Sequence, residues 1–335
     1  MSQSDRVLIF GGAGFIGRHL VSQLRGKVES ITVVSRRAAG AGGDSEVRYV
    51  GGDIMDRAQV MSLVAGSTVV YQLTMESDYV VAARNLAEAC LAHGVRRVIF
   101  ASTSDALYLG RKGRVDESAG TDSKPELRNS YSCGKTRSEQ LFLELHKTKG
   151  LPIVIMRPCL VVGRGGKLQH GGIGSWKTAT ALVGWGDGKH PMPFVLAQDV
   201  AAAMVLALDA PGIEGKAFNL AGDVYLSARE YVRLAGERTL RNFRFYPRNL
   251  FLFHAKVSFK TAVKRLLGRK SAPQSYRDLK SAAMLTQIDN RLSKELLGWR
   301  PNADLNVFIR EAIDPYAGPF AAGDLRLTGG ESRAA

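Results

Sequence analysis

Cysteine is scarce. The 335-residue chain has three, Cys90, Cys133 and Cys159. Their number is odd and none are spaced CxxC, so neither a disulfide framework nor a zinc site is expected, and a reducing compartment follows. Long apolar runs are missing too. No stretch reaches 18 apolar residues, which excludes a membrane-spanning helix. The apolar part of the N-terminal MSQSDRVLIF is too short for a secretory h-region and no cleavage site follows it. His170 and His190 stand alone, so no metal is assigned. Acidic residues are few against basic ones, 31 to 46, for a formal net charge of +15. That balance predicts an anionic partner: nucleic acid, a membrane surface or a phosphorylated substrate. Hydrophobic residues, at 45%, are plentiful enough to exclude a disordered chain. The length supports a full core in one large domain or up to two.

Short apolar runs alternate with amphipathic segments: RVLIF at 6–10, SITVVS at 30–35, a third at 46–50, then 68–73, 98–101 and 151–157. Helices are expected at 15–24, 58–64, 78–93 and 130–147. This alternation predicts an α/β fold, a Rossmann-type doubly wound parallel sheet with a smaller C-terminal substrate-binding subdomain. The division is 5–165 mainly nucleotide-binding, 166–193 a substrate loop, 194–222 a return to the sheet, 223–315 mainly a substrate- or membrane-facing subdomain, and 318–335 a disordered tail. Nine glycines at 163–194 read as a flexible loop.

GGAGFIG lies between the first strand and the first helix. In that context Gly11, Gly14 and Gly17 let backbone approach a pyrophosphate, and the helix N-terminus, at Phe15 and Ile16, offers free N–H groups. The second strand ends at Ser35, where NAD sites usually carry an acidic residue for the ribose 2′-hydroxyl. Arg36 and Arg37 follow instead. Guanidinium forks suit a 2′-phosphate, so NADP is preferred over NAD, with Arg36 as its contact. Asp53 and Ile54 follow the third strand, at the adenine edge. Leu73, Thr74 and Pro158 complete the expected cofactor set.

Tyr-x-x-x-Lys occurs three times, at Tyr108/Lys112, Tyr131/Lys135 and Tyr276/Lys280. Only Tyr131 opens a long helix inside the α/β unit, where positions i and i+4 share a face. A phenol with a pKa of about 10 is a poor base at neutral pH. An adjacent ammonium and a positive nicotinamide ring both favour the phenolate. Lys135 is therefore expected to lower the pKa of Tyr131 and make it a usable base for an alcohol hydroxyl.

FGGAGFIG, GGDIMD, VVYQLT, Arg84-Asn85-Leu86, STSDALY, YSCGK, MRPCLVVG, QDVAAAMVLAL, FNLAG and LSKELLGWRP follow one another in order over about residues 5–313. In this set the chain resembles the extended short-chain dehydrogenase/reductase family, the NAD(P)-dependent sugar epimerase/dehydratase group. The resemblance implies that Ser104, four residues before Tyr108, hydrogen-bonds the reacting oxygen beside Tyr131 and Lys135, with Ser102 and Thr103 near the nicotinamide. It also implies a homodimer through a helix bundle that includes the Tyr131 helix. The dehydratase branch has Thr-Asp-Glu where this chain has Ser104, Asp105 and Ala106. The missing glutamate makes water elimination less favoured than oxidoreduction or epimerisation.

Residues 229–280 hold 14 Lys/Arg and three Asp/Glu, most of the net charge. Within them 248–270 reads as a basic amphipathic helix. Leu252, Ala255, Phe259, Val263 and Leu266 form an apolar face, widened by Phe251, and Lys256, Lys260 and Lys264 form a stripe. An anionic membrane surface is the first reading. A lid helix packed on the core is the second, and nucleic acid is disfavoured because no reading motif accompanies the charge. Lys167, Trp176 and Lys177 are the candidate substrate contacts in the glycine-rich loop, with Asp105 and Ser104. The expected function is an oxidoreductase or epimerase acting through a keto intermediate on a nucleotide- or lipid-linked sugar. A reductase of a lipophilic ketone, of 3-hydroxysteroid dehydrogenase type, and a non-catalytic NADP-binding scaffold stand as alternatives. The expected location is cytoplasmic, peripheral on the inner face of the membrane.

Overall fold

The computed structural model describes residues 4–36, 46–268 and 275–318. Five strands come first: β1 (Arg6–Phe10), β2 (Ser30–Ser35), β3 (Val47–Gly51), β4 (Val69–Gln72) and β5 (Arg97–Ala101). With Ile153–Pro158 and Ala217–Leu220 they form one parallel sheet, in the order β3, β2, β1, β4, β5, Ile153–Pro158, Ala217–Leu220. Covered on both faces, the central strands are continuous apolar runs: every residue of β4 and β5 is buried. The chain runs outward from β1 to β3 and then returns to β4 on the other side of β1. A crevice opens beyond the strand ends at that reversal.

Helices α1 (Phe15–Leu24), α2 (Arg57–Val64), α3 (Tyr79–Ala92), α4 (Ser130–Lys149) and α5 (Ala197–Leu206) flank the sheet. Leu20 and Leu24 of α1 and Val200 and Met204 of α5 pack with Ile9, Val33 and Tyr71 in one layer. Val60 of α2, Leu86 of α3 and Phe142 of α4 pack with Phe10, Val70 and Phe100 in the other. A third cluster joins Leu160, Leu182, Phe194, Tyr231 and Phe308, under α6 (Ala228–Thr239). Helix ends follow local chemistry: Asp56, Asp78 and Asn129 cap α2, α3 and α4 with side-chain oxygens.

The glycine-rich stretch 163–194 is more ordered than its composition predicts. Gly174–Trp176 pairs antiparallel with Ala181–Gly184, which pairs in parallel with Arg244–Tyr246. Glycine serves close approach here: a Cβ on Gly184 would stand 2.3 Å from the Phe245 ring. The expected basic helix forms as α7 (Leu250–Leu266), followed by α8 (Tyr276–Ala282). Of the α7 residues only Thr261 is buried. Its predicted apolar face is not packed on the protein, as a lid helix requires: Leu252, Phe259 and Leu266 are 63%, 70% and 87% exposed. Arg37 and residues 319–335, the bulk of the expected disordered tail, lie outside the described residues, as do 269–270 at the end of the basic segment.

Candidate functional site

β1 ends in a turn that only glycine can make. Gly11 has φ +87, and a Cβ there would stand 3.0 Å from the Leu73 backbone carbonyl carbon and 3.1 Å from the Thr74 nitrogen. A Cβ on Gly17 would lie 2.4 Å from the Gly11 oxygen, so the third glycine fixes how tightly α1 folds back onto the turn. Gly14 is the N-cap of α1 and supplies no side-chain cap, which leaves the first-turn N–H groups at Phe15, Ile16 and Gly17 open to an anion. A Cβ on Gly14 would partly fill that cradle, 3.1 Å from the Gly11 oxygen. The opposite wall carries buried oxygens without a protein partner, Thr74 Oγ1 past β4 and Ser102 Oγ past β5. These features fit a dinucleotide laid across the strand ends.

Ser35 closes β2 and Arg36 follows it, exposed. Asp53 is half-buried, and its Oδ1 accepts from Met55 N at 2.9 Å. The sequence reading assigned no role to Asn85, which sits on α3. Its Nδ2 donates to the carbonyls of Ile54 (3.1 Å) and Met55 (3.0 Å) and so shapes the adenine-side loop. The signal was its place in the Arg84-Asn85-Leu86 segment, but a buried amide bonding two carbonyls is visible only in three dimensions.

Tyr131 and Lys135 stand one turn apart at the start of α4, behind the Asn129 cap, whose Oδ1 accepts from Ser132 N at 3.0 Å. The Tyr131 ring meets Tyr79 edge to face with centroids 5.9 Å apart. Gly134 permits this packing, since a Cβ there would fall 2.4 Å from the Tyr79 ring. Lys135 is buried. Its Nζ donates to the Ala101 carbonyl at 2.8 Å and lies over the rings of Phe100 (4.7 Å) and Tyr79 (5.1 Å). Burial pulls the ammonium down to about 7, against the raising charges of Glu139 and Glu76. Burial also pushes the Tyr131 phenol up to about 12; a hydrogen bond with Thr103 opposes this and the nearby Asp105 carboxylate adds to it. Burial, and not a lowering by Lys135, sets the direction for the phenol.

Thr103, one residue before Ser104, is the hydroxyl that acts to lower the Tyr131 phenol. Thr103 Oγ1 also accepts from Asp105 N at 3.1 Å. Ser104 is buried and shares a hydrogen bond with the Cys159 thiol, next to Pro158. The Asp105 carboxyl is held above the usual carboxylate range, mainly by burial. Ala106, fully buried, supplies no acid or base. Around this cluster runs an ion network that spacing did not reveal. Arg128, buried, donates to the Leu107 carbonyl (3.1 Å), Asp122 (3.0 Å) and Asp278 (3.2 Å).

The other two Tyr-x-x-x-Lys matches serve packing. Tyr108 lies 3.8 Å beneath the Arg277 guanidinium, and Tyr276 packs against α7. The proposed substrate contacts are held by their own loop. Trp176 Nε1 donates to the His170 carbonyl at 3.2 Å and its ring meets Phe243, while Lys167 and Lys177 are exposed. His170 accepts from Gly172 N at 3.0 Å and is held neutral, its pKa lowered to about 4 by burial. Among the described residues no group of three or more His, Cys, Asp or Glu side chains could hold a metal. No helix among them is long and apolar enough to cross a membrane.

Known proteins are similar to this chain in sequence and fold. A UDP-N-acetyl-alpha-D-glucosaminuronate decarboxylase of Bacillus cytotoxicus is 30% identical over 253 residues, 67% of this chain and 77% of that protein. A 3beta-hydroxysteroid-dehydrogenase/decarboxylase of Arabidopsis thaliana is 27% identical over 230 residues, 60% of this chain and only 52% of its own length. The crystal structure of Thermus thermophilus UDP-glucose 4-epimerase with NAD superposes with a TM-score of 0.68 at 22% identity, covering 94% of this chain and all of that one. The family model for NAD dependent epimerases and dehydratases matches residues 7–221, from β1 through the last strand of the sheet. With its glycine turn, its parallel sheet and its match over most of the chain, the protein belongs to the NAD-dependent epimerase/dehydratase family, within the extended short-chain dehydrogenases/reductases.

Proposed function

We propose that the chain oxidises and reduces a hydroxyl-bearing carbon of a nucleotide- or lipid-linked sugar, through a keto intermediate, by epimerisation or net reduction. The observation that carries this reading is the cluster at the strand ends: the Tyr131 phenol influenced by Thr103, the buried Lys135 one turn away, and an uncapped glycine turn. Bound there, the nicotinamide supplies the hydride acceptor or donor. The first-turn N–H groups of α1 hold the pyrophosphate, and Arg36, in place of an acidic residue, favours the 2′-phosphate of NADP. Tyr131 takes the proton of the substrate hydroxyl and returns it to the carbonyl. Lys135 positions the ribose and, as ammonium, stabilises the phenolate. Thr103 and Ser104 orient the reacting oxygen. Ala106 offers no base for elimination, which sets this site apart from a dehydratase. A homodimer through α3 and α4 completes the reading, with Val81 of α3 exposed at 39%.

A lipophilic ketone is the second substrate reading, favoured by the exposed apolar face of α7 and the similarity to the Arabidopsis relative. Incubation of UDP- and dTDP-hexoses with NADP+ or NAD+, and of the corresponding keto-sugars with NADPH, separates the outcomes. An epimerase interconverts sugars with no net change in NADPH, a reductase oxidises one NADPH per product, and a scaffold does neither. Tyr131→Phe is expected to lose turnover by about 10²–10⁴-fold with cofactor binding kept. Normal turnover in that variant overturns the reading.

A further inference from the structure

Six large apolar residues between positions 251 and 267 are exposed: Phe251, Leu252, Phe259, Val263, Leu266 and Leu267. Single exposed apolar residues are ordinary, but a contiguous patch of this kind marks a surface that is covered in use. Helical spacing puts Leu252, Phe259, Val263 and Leu266 on one stripe of α7. The opposite face, with His254, Val257, Ser258 and Thr261, is turned to the protein. Lys256, Lys260 and Lys264, four residues apart and exposed, follow one edge of the apolar stripe. None of the three forms an ion pair among the described residues. No Asp or Glu occurs between Glu237 and Asp278.

The helix is also anchored toward the site. The Tyr276 ring of α8 lies 5.1 Å from His254 and 6.5 Å from Phe251. Two residues on, Asp278 accepts from Asn129 N (3.1 Å) and Asn129 Nδ2 (3.0 Å), the residue that caps the Tyr131 helix. Whatever α7 docks onto therefore has a fixed orientation to the start of α4.

We propose that α7 lies in the interfacial plane of an anionic lipid bilayer. Leu252, Phe259, Val263 and Leu266 sit at the acyl boundary, and Lys256, Lys260 and Lys264 meet lipid phosphates. The charge decides among occupants. A second copy of this face would bring like-charged lysine rows together in a two-fold interface, and a nucleic acid has no use for the apolar stripe. The docking goes beyond the catalytic reading and does not depend on it.

The full chain is tested by co-sedimentation with vesicles of phosphatidylcholine alone or with about one third phosphatidylglycerol. The expected result is binding to the anionic vesicles that weakens as salt rises. The triple variant Lys256→Glu, Lys260→Glu, Lys264→Glu is expected to lose at least about 100-fold in affinity. The double variant Phe259→Ser, Leu266→Ser is expected to lose at least about tenfold with its charge intact. Since all five side chains are exposed, thermal midpoint and NADPH binding stay at wild-type values, so loss of docking is distinguishable from loss of the catalytic site. The proposal is overturned if the wild type stays in the supernatant, or if either variant sediments like the wild type. It is also overturned if the serine variant instead dissociates a dimer, which makes a second copy the occupant, or if only an added oligonucleotide binds the lysine row.

Discussion

α4 and α7 are helices of similar length whose burial inverts their composition. α4, SYSCGKTRSEQLFLELHKTK, is the more polar, yet it buries Ser132, Lys135, Thr136, Ser138, Glu139 and Phe142. α7, LFLFHAKVSFKTAVKRL, is the more apolar, yet it buries only Thr261. Buried polar groups on α4 are tolerable because most find partners. Ser138 Oγ donates to the Tyr79 carbonyl at 3.0 Å, Lys135 donates to Ala101, and Arg157 donates twice to Glu139 Oε2, at 2.6 and 3.1 Å. On α7, Leu252, Phe259 and Leu266 stay 63%, 70% and 87% exposed. Each helix thus departs from what its own sequence favours, α4 at the proposed catalytic site and α7 at the proposed docking face.

The largest effect expected from breaking this contrast is at Glu139. Glu139→Ala leaves Arg157 buried without its counter-charge and is expected to cost about 3–5 kcal/mol of stability, read by denaturant titration. A loss below about 1 kcal/mol means that the polar core of α4 is not held by its partners. Next comes the hydroxyl beside the phenol. Thr103→Val is expected to lower kcat/KM by about 10–100-fold, the worth of one hydrogen bond to a charge-bearing group. A wild-type Thr103→Val together with a large loss in Ser104→Ala would return the role to Ser104 and show that substrate redraws the contact. The smallest effect is on α7. Phe259→Ser with Leu266→Ser is expected to shift unfolding by less than about 0.5 kcal/mol, whereas Phe142→Ala on α4 costs about 3–5 kcal/mol. Comparable losses would mean that α7 is packed on the protein after all.

Strand runs, the glycine turn and the helix that Tyr131 opens were legible because each is a local pattern: an apolar run, a fixed spacing, a helix start behind a capping residue. The hairpin within 163–194 was not, because glycines that admit the Phe245 ring and glycines that loosen a loop look alike in one dimension. Thr103 and Ser104 both follow β5, and spacing did not distinguish their hydroxyls. Adjacent hydroxyls differ by one residue in sequence, and only the turn after β5 decides which of them faces α4.

The amino-acid sequence alone determined the sheet's strands, the cofactor turn and the amphipathic, basic character of α7, since these follow from period, spacing and charge. Tertiary structure decided which side of α7 is covered. It also decided that Lys135 is acidified to about 7 and that the Tyr131 phenol is pushed up to about 12 in the ligand-free chain. Burial is a property of what surrounds a group, and desolvation disfavours the charged form of each side chain once it is withdrawn from water.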